Sequence, residues 1–123
     1  IMFFSIIIPT YNHLEDCLKP CLESIMRNTT LDYGIEILVV GNGCTDGTKD
    51  YMLELNKQNP NIRFLDYPEP LGYSAANNKA LKQAKGKFIV LLNNDVILLD
   101  SEKDLWIKLL FEPFKKIENC GIS

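Results

Sequence analysis

Short hydrophobic runs alternate along the chain with segments in which apolar residues recur at every third or fourth position. The runs at 3–8, 35–40, 62–66 and 88–92 are rich in β-branched and aromatic residues, which predicts four β-strands. Run 88–92 is entirely apolar, as expected of a fully buried strand at the centre of a sheet. Pro9 is expected to end the first strand, because proline cannot donate a ladder hydrogen bond.

The intervening segments have the period of amphipathic helices. Apolar residues of segment 14–26 recur at this spacing, and Pro20 is predicted either to kink the helix or to restart it. A second helix is expected after the glycine-rich loop 41–48, with Thr45 or Asp46 as its N-cap.

Two further helices are predicted later in the chain. The first spans 73–85, with alanines that allow close packing on a sheet and with Gly86 as its C-cap. The second follows Asp100 or Ser101, either of which suits its N-cap, and Pro113 is expected to break it.

Strands that alternate with helices indicate a parallel sheet joined by right-handed crossovers. We therefore expect one α/β domain over residues 1–123, in three layers, with a mainly parallel sheet and helices on both faces. Residues 119–123 have the character of a further strand.

Composition and charge exclude several classes of function. Apolar residues make up 46% of the chain and charged residues 24%, as in an ordinary soluble globular domain. The net charge of −3 provides no general attraction to nucleic acid. No apolar run approaches the length of a membrane span, and the first residues lack the features of a signal peptide.

The four cysteines, Cys17, Cys21, Cys44 and Cys120, include no Cys-x-x-Cys pair, so a zinc or redox site is not expected. Cys17 and Cys21 lie four residues apart and are predicted to be small core residues on one helix face. We interpret all four as reduced and the compartment as cytoplasmic.

Polar loops follow three of the predicted strands, at residues 10–12, 41–48 and 93–95. In a parallel sheet these loops share one edge, where ligands bind. Asp95 follows Asn93 and Asn94, and one carboxylate beside two amides suits a divalent cation shared with substrate phosphates. The alternative is a polar turn after a strand, since Asn and Asp are common in turns.

One glycine-rich loop and three single residues are further candidates for a functional role. Loop 41–48 fits neither the P-loop pattern nor the dinucleotide fingerprint. His13, the only histidine, is interpreted as a surface loop residue, and Trp106 as a core residue. Tyr11 suits either stacking on a flat base or packing beneath its own loop.

Together, segments 5–12, 37–48, 71–78 and 91–95 resemble, in order and spacing, the family-two glycosyltransferases with the GT-A fold. The resemblance implies a nucleotide-diphosphate sugar as donor and a glycan or a lipid-linked molecule as acceptor. It implies Mg²⁺ or Mn²⁺ at Asp95, bridging the diphosphate. The residues implied to bind the nucleotide sugar are Pro9, Thr10, Tyr11, Asn12, Gly41, Asn42, Gly72, Asn77, Asn93, Asn94 and Asp95.

The chain departs from the family pattern at two positions. Gly41 stands where the family often has an acid that contacts the base, and Asn42 is expected to bind the base instead. Asn93 replaces the first acid of the Asp-x-Asp motif. The Asn-Asn-Asp variant resembles transferases that act on bacterial cell-surface glycans, and the family implies an inverting, metal-dependent reaction.

The family's domain is roughly twice as long as this chain, and its second half supplies the general base. Glu102 and Asp104 are interpreted as first-turn helix acids and not as that base. We therefore predict a donor-binding half, inactive alone, in a full-length protein at the inner face of the membrane. An uncovered sheet edge is expected to favour homo-oligomers.

Two other classes of function compete with this interpretation. In a non-catalytic α/β module, the same loops bind a nucleotide or a protein partner, and no divalent metal is needed at Asp95. A nucleotidyltransferase is disfavoured, because loop 9–12 has neither the Gly nor the Lys expected after its first strand.

Overall fold

A parallel sheet forms the centre of the computed structural model, which describes residues 4–30, 34–68 and 72–116. Its strands in that part of the chain are β1 (Phe4–Thr10), β2 (Ile35–Asn42), β3 (Ile62–Tyr67) and β4 (Phe88–Leu91). They lie in the order β3-β2-β1-β4, and each neighbouring pair is parallel. The predicted α/β class is confirmed.

Helices connect these strands. A π-helical turn at Leu14–Leu18 leads directly into α1 (Lys19–Arg27), and Pro20 lies in the first turn of α1, where its missing N–H costs little. The other helices are α2 (Thr48–Gln58), α3 (Tyr73–Gln83) and α4 (Leu105–Lys116). The predicted restart at Pro20 is wrong, because Leu18 and Lys19 both have right-handed helical dihedral angles and the π turn passes into α1 without a break.

Hydrophobic side chains of β1 and β2 alternate between two layers. One layer packs beneath α1, α2 and α4, and includes Ile6, Ile8, Ile37, Val39, Leu22, Met52 and Ile107. The other packs beneath α3, and comprises Ile7, Leu38, Val40, Ala76 and Ala80. The three-layer prediction is therefore confirmed. Within the described ranges, no helix has both the length and the apolar character needed to cross a bilayer.

The prediction that run 88–92 forms a central, fully buried strand is wrong for the described part of the sheet. There, β4 pairs with β1 on one side only. Phe88 and Val90 pack against the core, whereas Ile89 and Leu91 point to the other face and are 40% and 50% exposed. The fully buried strands are β1 and β2, which have a neighbour on each side.

Pro9 does not end the first strand, which continues to Thr10 in register with β2. The carbonyl of Ile7 accepts the N–H of Leu92. Because strand hydrogen bonds alternate in direction, the nitrogen of Pro9 faces the same side as Ile7, beyond the end of β4. Its missing N–H therefore removes no ladder hydrogen bond.

The caps of α2 and α3 differ from prediction. Gly47 is the N-cap of α2, although the carboxylate of Asp46 accepts the N–H of Thr48 at 3.1 Å, as a cap would. The C-cap of α3 is Ala84 in an extended conformation, not Gly86. Gly86 instead lies against β1, where an added Cβ would be 2.5 Å from the nitrogen of Ser5.

The start of α4 also differs, because the helix begins at Leu105 and not directly after Asp100 or Ser101. The preceding segment is bound to the end of α1. The backbone N–H of Ser101 donates to Oδ1 of Asn28 at 2.9 Å, and that of Asp104 donates to the carbonyl of Asn28 at 2.8 Å.

Glu102 and Asp104 consequently precede α4 and are not first-turn acids. Asp104 has a φ of 65°, and its carboxylate accepts the N–H of Thr30 at 2.6 Å. Pro113 does not break α4, which continues to Lys116; a proline removes only one helical hydrogen bond, and the neighbouring turns remain. The strand predicted at 119–123 lies outside the described residues.

The cysteines within the described ranges, Cys17, Cys21 and Cys44, are free. Cys21 is buried as predicted, but Cys17 is only half-buried and is not a core residue. Cys120 lies outside the described residues. Trp106 packs against the core as predicted, and its Nε1 donates to Oγ1 of Thr29 at 2.8 Å.

Candidate functional site

The order of the strands creates a crevice at the carboxyl ends of β1 and β4. From β1 the chain moves to β2 and β3 on one side, and then returns to β4 on the other. Right-handed crossovers in opposite directions place their helices on opposite faces, so α1 and α2 lie on one face and α3 on the other, and the winding reverses between β1 and β4. Such a switch point is where open α/β sheets bind ligands.

A cavity of about 340 Å³ lies at this crevice. Residues from the ends of β1, β2 and β4, together with one residue of α3, line it: Pro9, Thr10, Tyr11, His13, Asn42, Ala76, Asn93, Asn94 and Asp95. Its walls combine backbone turns, amides, the rings of Tyr11 and His13 and one carboxylate, the mixture typical of a site for a polar ligand with a flat ring.

The polar residues after β4 are fixed to β1. The N–H of Leu92 makes the last ladder bond, to the carbonyl of Ile7 at 3.0 Å. Two residues later, Nδ2 of Asn94 donates to Oγ1 of Thr10 at 3.0 Å. Asp95 follows in a turn with its carboxylate exposed. This side-chain bond closes one end of the crevice and presents Asp95 at its rim.

Asn12 joins the loop after β1 to the loop after β2. Its Oδ1 accepts the backbone N–H groups of Thr45 at 2.7 Å and Asp46 at 3.1 Å. Its own backbone N–H lies 3.4 Å from Sγ of Cys44, an acceptor. Asn12 has a φ of 54°, a left-handed conformation that Asn tolerates better than most residues. The amide therefore holds two walls of the site together and does not line the cavity.

Asp46 secures the same junction from the other side. Its carboxylate accepts the N–H of Leu14 at 3.1 Å and both the N–H and the hydroxyl of Thr48. Burial raises the pKa of Asp46, but the hydrogen bonds from Thr48 and Leu14 outweigh this effect and leave its pKa below the ordinary value. The carboxylate is thus ionised and committed to the scaffold.

Replacing Asn12 by alanine is expected to lower the free energy of unfolding by about 1–2 kcal/mol, because two N–H groups lose their acceptor and alanine disfavours a positive φ. Asn12→Gly removes the same hydrogen bonds but accepts the backbone conformation, so its loss is expected to be smaller. Urea denaturation of both variants measures the difference. Equal stability of all three proteins would show that the amide does not hold the loops.

The structure gathers most of the residues implied by the family resemblance into one cavity, but four of them lie elsewhere. Besides Asn12, Gly41 is buried beneath the ring of Phe64, where an added Cβ would lie 2.5 Å from its Cζ. Gly72 is the N-cap of α3 with a φ of 80°. Asn77 is 7% exposed, and its Oδ1 has no hydrogen-bond partner among the described residues.

Two lining residues, His13 and Ala76, were not among the predicted site residues. His13 was predicted to be a surface residue, and it is exposed, but its position directly after loop 10–12 also puts it at the rim of the cavity. Ala76 was predicted to allow close packing on the sheet. The same small side chain that lets α3 approach β1 and β2 also leaves room at the end of the cavity.

Comparison with known proteins identifies the family. Residues 5–121 match the model for glycosyl transferase family 2. The glycosyltransferase AglE of Haloferax volcanii is 36% identical over 93 residues, covering 76% of this chain and 30% of that protein. The teichoic acid poly(glycerol phosphate) polymerase of Staphylococcus epidermidis is 37% identical over 90 residues, covering 72% of this chain and 12% of that protein.

Solved structures show the same architecture. The mannosyltransferase PcManGT from Pyrobaculum calidifontis, in complex with GDP-Man and Mn²⁺, has a TM-score of 0.72 and 26% identity, covering 89% of this chain and 32% of that one. S. aureus TarS 1–349, in complex with UDP-GlcNAc, has a TM-score of 0.76 and 27% identity, covering 94% and 32%.

The α/β architecture is that of the GT-A glycosyltransferases, and the chain belongs to glycosyl transferase family 2. It spans about a third or less of the length of the relatives named here. The family and the fold that the sequence motifs implied are therefore confirmed.

Proposed function

We propose that residues 1–123 form the donor-binding part of a glycosyltransferase, which holds a nucleotide-diphosphate sugar in the cavity at the ends of β1 and β4. The full-length protein would transfer the sugar to a hydroxyl group of a glycan or a lipid-linked acceptor in polysaccharide or cell-surface glycan synthesis. The observation that carries this proposal is the cavity at the switch point, with Asp95 exposed at its rim. Two structural neighbours are complexes with GDP-Man and with UDP-GlcNAc, which supports a donor of this class.

The residues after β4 fit a hard divalent cation. Asp95 offers an exposed carboxylate, and the neighbouring Asn93 and Asn94 are neutral, so the triplet carries a single negative charge. Mg²⁺ and Mn²⁺ prefer oxygen ligands and commonly take one or two protein carboxylates together with substrate phosphates. We assign Asp95 as the protein ligand. The ion, when bound, neutralises the charge that the leaving nucleoside diphosphate gains.

The remaining cavity residues suit the nucleoside. Tyr11 is 56% exposed at the cavity and offers an aromatic face for a planar base. Asn42 at the end of β2 offers amide groups for the edge of that base. The Asn94–Thr10 hydrogen bond, at 3.0 Å, keeps the ribose and phosphate side of the cavity in place.

The chemical step itself needs a group that removes the proton of the acceptor hydroxyl. We assign no such general base among residues 1–123, and expect it in the part of the longer relatives that this chain does not match. The reaction proposed for the full-length protein is a direct, inverting displacement at the sugar. We place the protein in the cytoplasm, with the full-length form at the inner face of the membrane. Exposed apolar residues such as Leu91 on β4 favour association of copies.

Calorimetric titration of the chain with UDP, GDP and dTDP, with and without Mn²⁺, tests this proposal. We expect one nucleotide to bind with Mn²⁺, and Asp95→Ala to weaken that binding by about tenfold or more, because the metal loses its protein carboxylate. Asp100→Ala is the matched control. It removes an exposed acid that pairs with Arg27 at 3.2 Å outside the cavity, and should leave the affinity unchanged.

Other results of the titration would contradict the proposal in distinguishable ways. Tight nucleotide binding that needs no metal and survives Asp95→Ala would indicate a non-catalytic binding module. Absence of binding by a folded chain, as judged by circular dichroism, would contradict an independent donor site in residues 1–123. Turnover of a nucleotide sugar by this chain alone would refute the assignment of the general base to another part of the protein.

A further inference from the structure

Three metal-ligating side chains converge outside the Asp95 site, where the chain enters its first helix. His13, Asp16 and Cys17 each offer one ligand atom, and these atoms all lie within 4.8 Å of one another. Nδ1 of His13 is 3.0 Å from Oδ2 of Asp16. The spacing of three and four residues brings the side chains to one side of the helical turn.

The backbone holds this cluster in a fixed, unusual conformation. The carbonyl of His13 accepts the N–H groups of both Cys17 at 3.0 Å and Leu18 at 3.1 Å, which opens the π-helical turn. His13 itself has a φ of 56°. Asp46 fixes the following residue by accepting the N–H of Leu14 at 3.1 Å. The positions of the three ligating residues are thus supported from the loop after β2 as well as from their own helix.

The chemistry of the three side chains differs from that of Asp95. Imidazole, thiolate and carboxylate form the ligand set of zinc-like ions, and the thiolate disfavours Mg²⁺ and Mn²⁺. His13 and Asp16 are 64% and 66% exposed, so an ion reaches them from solvent. Three protein ligands leave a fourth tetrahedral position for water or another group.

Charge around Cys17 also favours a cation. The carboxylates of Asp16 and Asp95 lie close enough to act on the Cys17 thiol. The same two negative charges attract a divalent ion. Its binding displaces the thiol proton to solvent and leaves a thiolate ligand, which balances the exchange.

We propose that His13, Asp16 and Cys17 form a binding site for a zinc-class divalent cation at the rim of the cavity, separate from the Mg²⁺ or Mn²⁺ site assigned to Asp95. His13 belongs to both the cluster and the cavity wall. The site does not depend on the proposed donor function, because it needs neither a nucleotide nor Asp95 as a ligand.

Titration of the full chain with Co²⁺, followed by optical absorption, tests this site. We expect a thiolate-to-cobalt charge-transfer band, which Zn²⁺ abolishes by displacement and Mg²⁺ in large excess does not. Cys17→Ser should remove the band, and His13→Gln should weaken Co²⁺ binding by about tenfold or more through the loss of a ligand. Cys44→Ser, which removes another half-buried thiol, is the matched control and should keep the band.

The outcomes are decisive without any nucleotide. A chain that gives no thiolate band at saturating Co²⁺, or a Cys17→Ser variant that keeps the band of the parent, would overturn the site. If Cys17→Ser does not fold, as judged by circular dichroism, the exposed His13→Gln variant decides. Unchanged Co²⁺ affinity in that variant would also overturn the proposal.

Discussion

Replacing Glu36 by alanine is expected to lower the free energy of unfolding by about 3–4 kcal/mol, because it removes the common acceptor of a buried network. The side chain of Glu36 is 3% exposed. Its carboxylate accepts the hydroxyl of Ser5 at 2.6 Å, the backbone N–H of Lys85 at 2.7 Å and Nη2 of Arg63 at 3.1 Å. Three separate elements of the fold thus meet at one side chain.

The expected loss lies near the lower end of the range for breaking a buried ion pair. The reason is that Arg63 is about a third exposed, so water can solvate its guanidinium group when the carboxylate is removed. Ser5 and Lys85 would each keep a donor without its acceptor, which adds to the cost. Urea denaturation measures the effect. The matched control is Glu54→Ala, which removes an exposed acid that pairs with Lys57 at 3.5 Å and should cost less than about 0.5 kcal/mol. Equal losses in the two variants would contradict the network.

The pH dependence of stability distinguishes the contribution of the negative charge of Glu36 from the contribution of its packing. Burial raises the pKa of Glu36, but hydrogen bonds from Lys85, Ser5 and Arg63 outweigh it, so its pKa in the folded protein lies below the ordinary 4.5. As the pH falls, Glu36 therefore takes up its proton at a higher pH in the unfolded chain than in the folded protein. The contribution of Glu36 is fully present above pH 4.5 and is lost as the pH falls through the folded pKa. Glu36→Gln should lack this part of the acid destabilisation.

The layers of the fold were predictable because a sheet covered on both faces selects apolar residues at successive positions. In β1, Ile6 and Ile8 face one layer and Ile7 the other, so the run alone identifies a buried strand. The order of the strands was not predictable in the same way. Run 88–92 is as apolar as β1, yet Ile89 is 40% exposed in the described residues. The hydrophobicity of a strand does not predict which neighbouring elements cover it.

Strand and helix ends depended on contacts with residues distant in sequence. Pro9 remains in β1 because β4 has already ended beside it. The N-cap prediction at Asp100 or Ser101 was wrong because Asn28 binds the segment before α4. Capping preferences describe only the local chain. Here the start of the helix is determined by tertiary hydrogen bonds between residues that are more than 70 positions apart in sequence.

Parallel topology alone predicts that the polar side chains of the site lie at one edge of the sheet. The pattern of strands that end in polar loops places Thr10, Asn42 and Asp95 together, and the structure gathers all three around the cavity. The strand and loop pattern does not predict the direction in which a single side chain points. Asn12 shares the loop of Thr10 but turns its amide to Thr45, 33 residues away, through a positive φ that no periodicity signals.

Replacing Gly86 by alanine is expected to lower the free energy of unfolding by about 2–3 kcal/mol through overpacking at the amino ends of β1 and β4. A Cβ at this position would lie 2.5 Å from the nitrogen of Ser5, 2.6 Å from its Oγ and 2.7 Å from the carbonyl carbon of Phe4. Two of these atoms belong to the backbone of a strand that is paired on both sides, so neither moves aside as a flexible side chain would.

The clash would also disturb the Glu36 network. The N–H of Gly86 donates to Oγ of Ser5 at 2.8 Å, and that hydroxyl in turn donates to Glu36. The control is Gly47→Ala, where the nearest atom to an added Cβ is Cδ2 of Leu14 at 3.5 Å and φ is −77°. Alanine fits there, so a change within about 1 kcal/mol is expected.

Thermal and urea denaturation of Gly86→Ala and Gly47→Ala measure this difference, and similar stabilities would contradict the close packing of Gly86 against Ser5. The position of Gly86 adds a second readout. It lies at the amino end of β4, whereas Asn93, Asn94 and Asp95 follow the carboxyl end of the same strand. Well below its unfolding temperature, the Gly86→Ala variant should therefore bind Mn²⁺ and nucleotide as the parent does. A large loss of affinity with little loss of stability would show that the clash shifts β4 along β1 and does not simply weaken the fold.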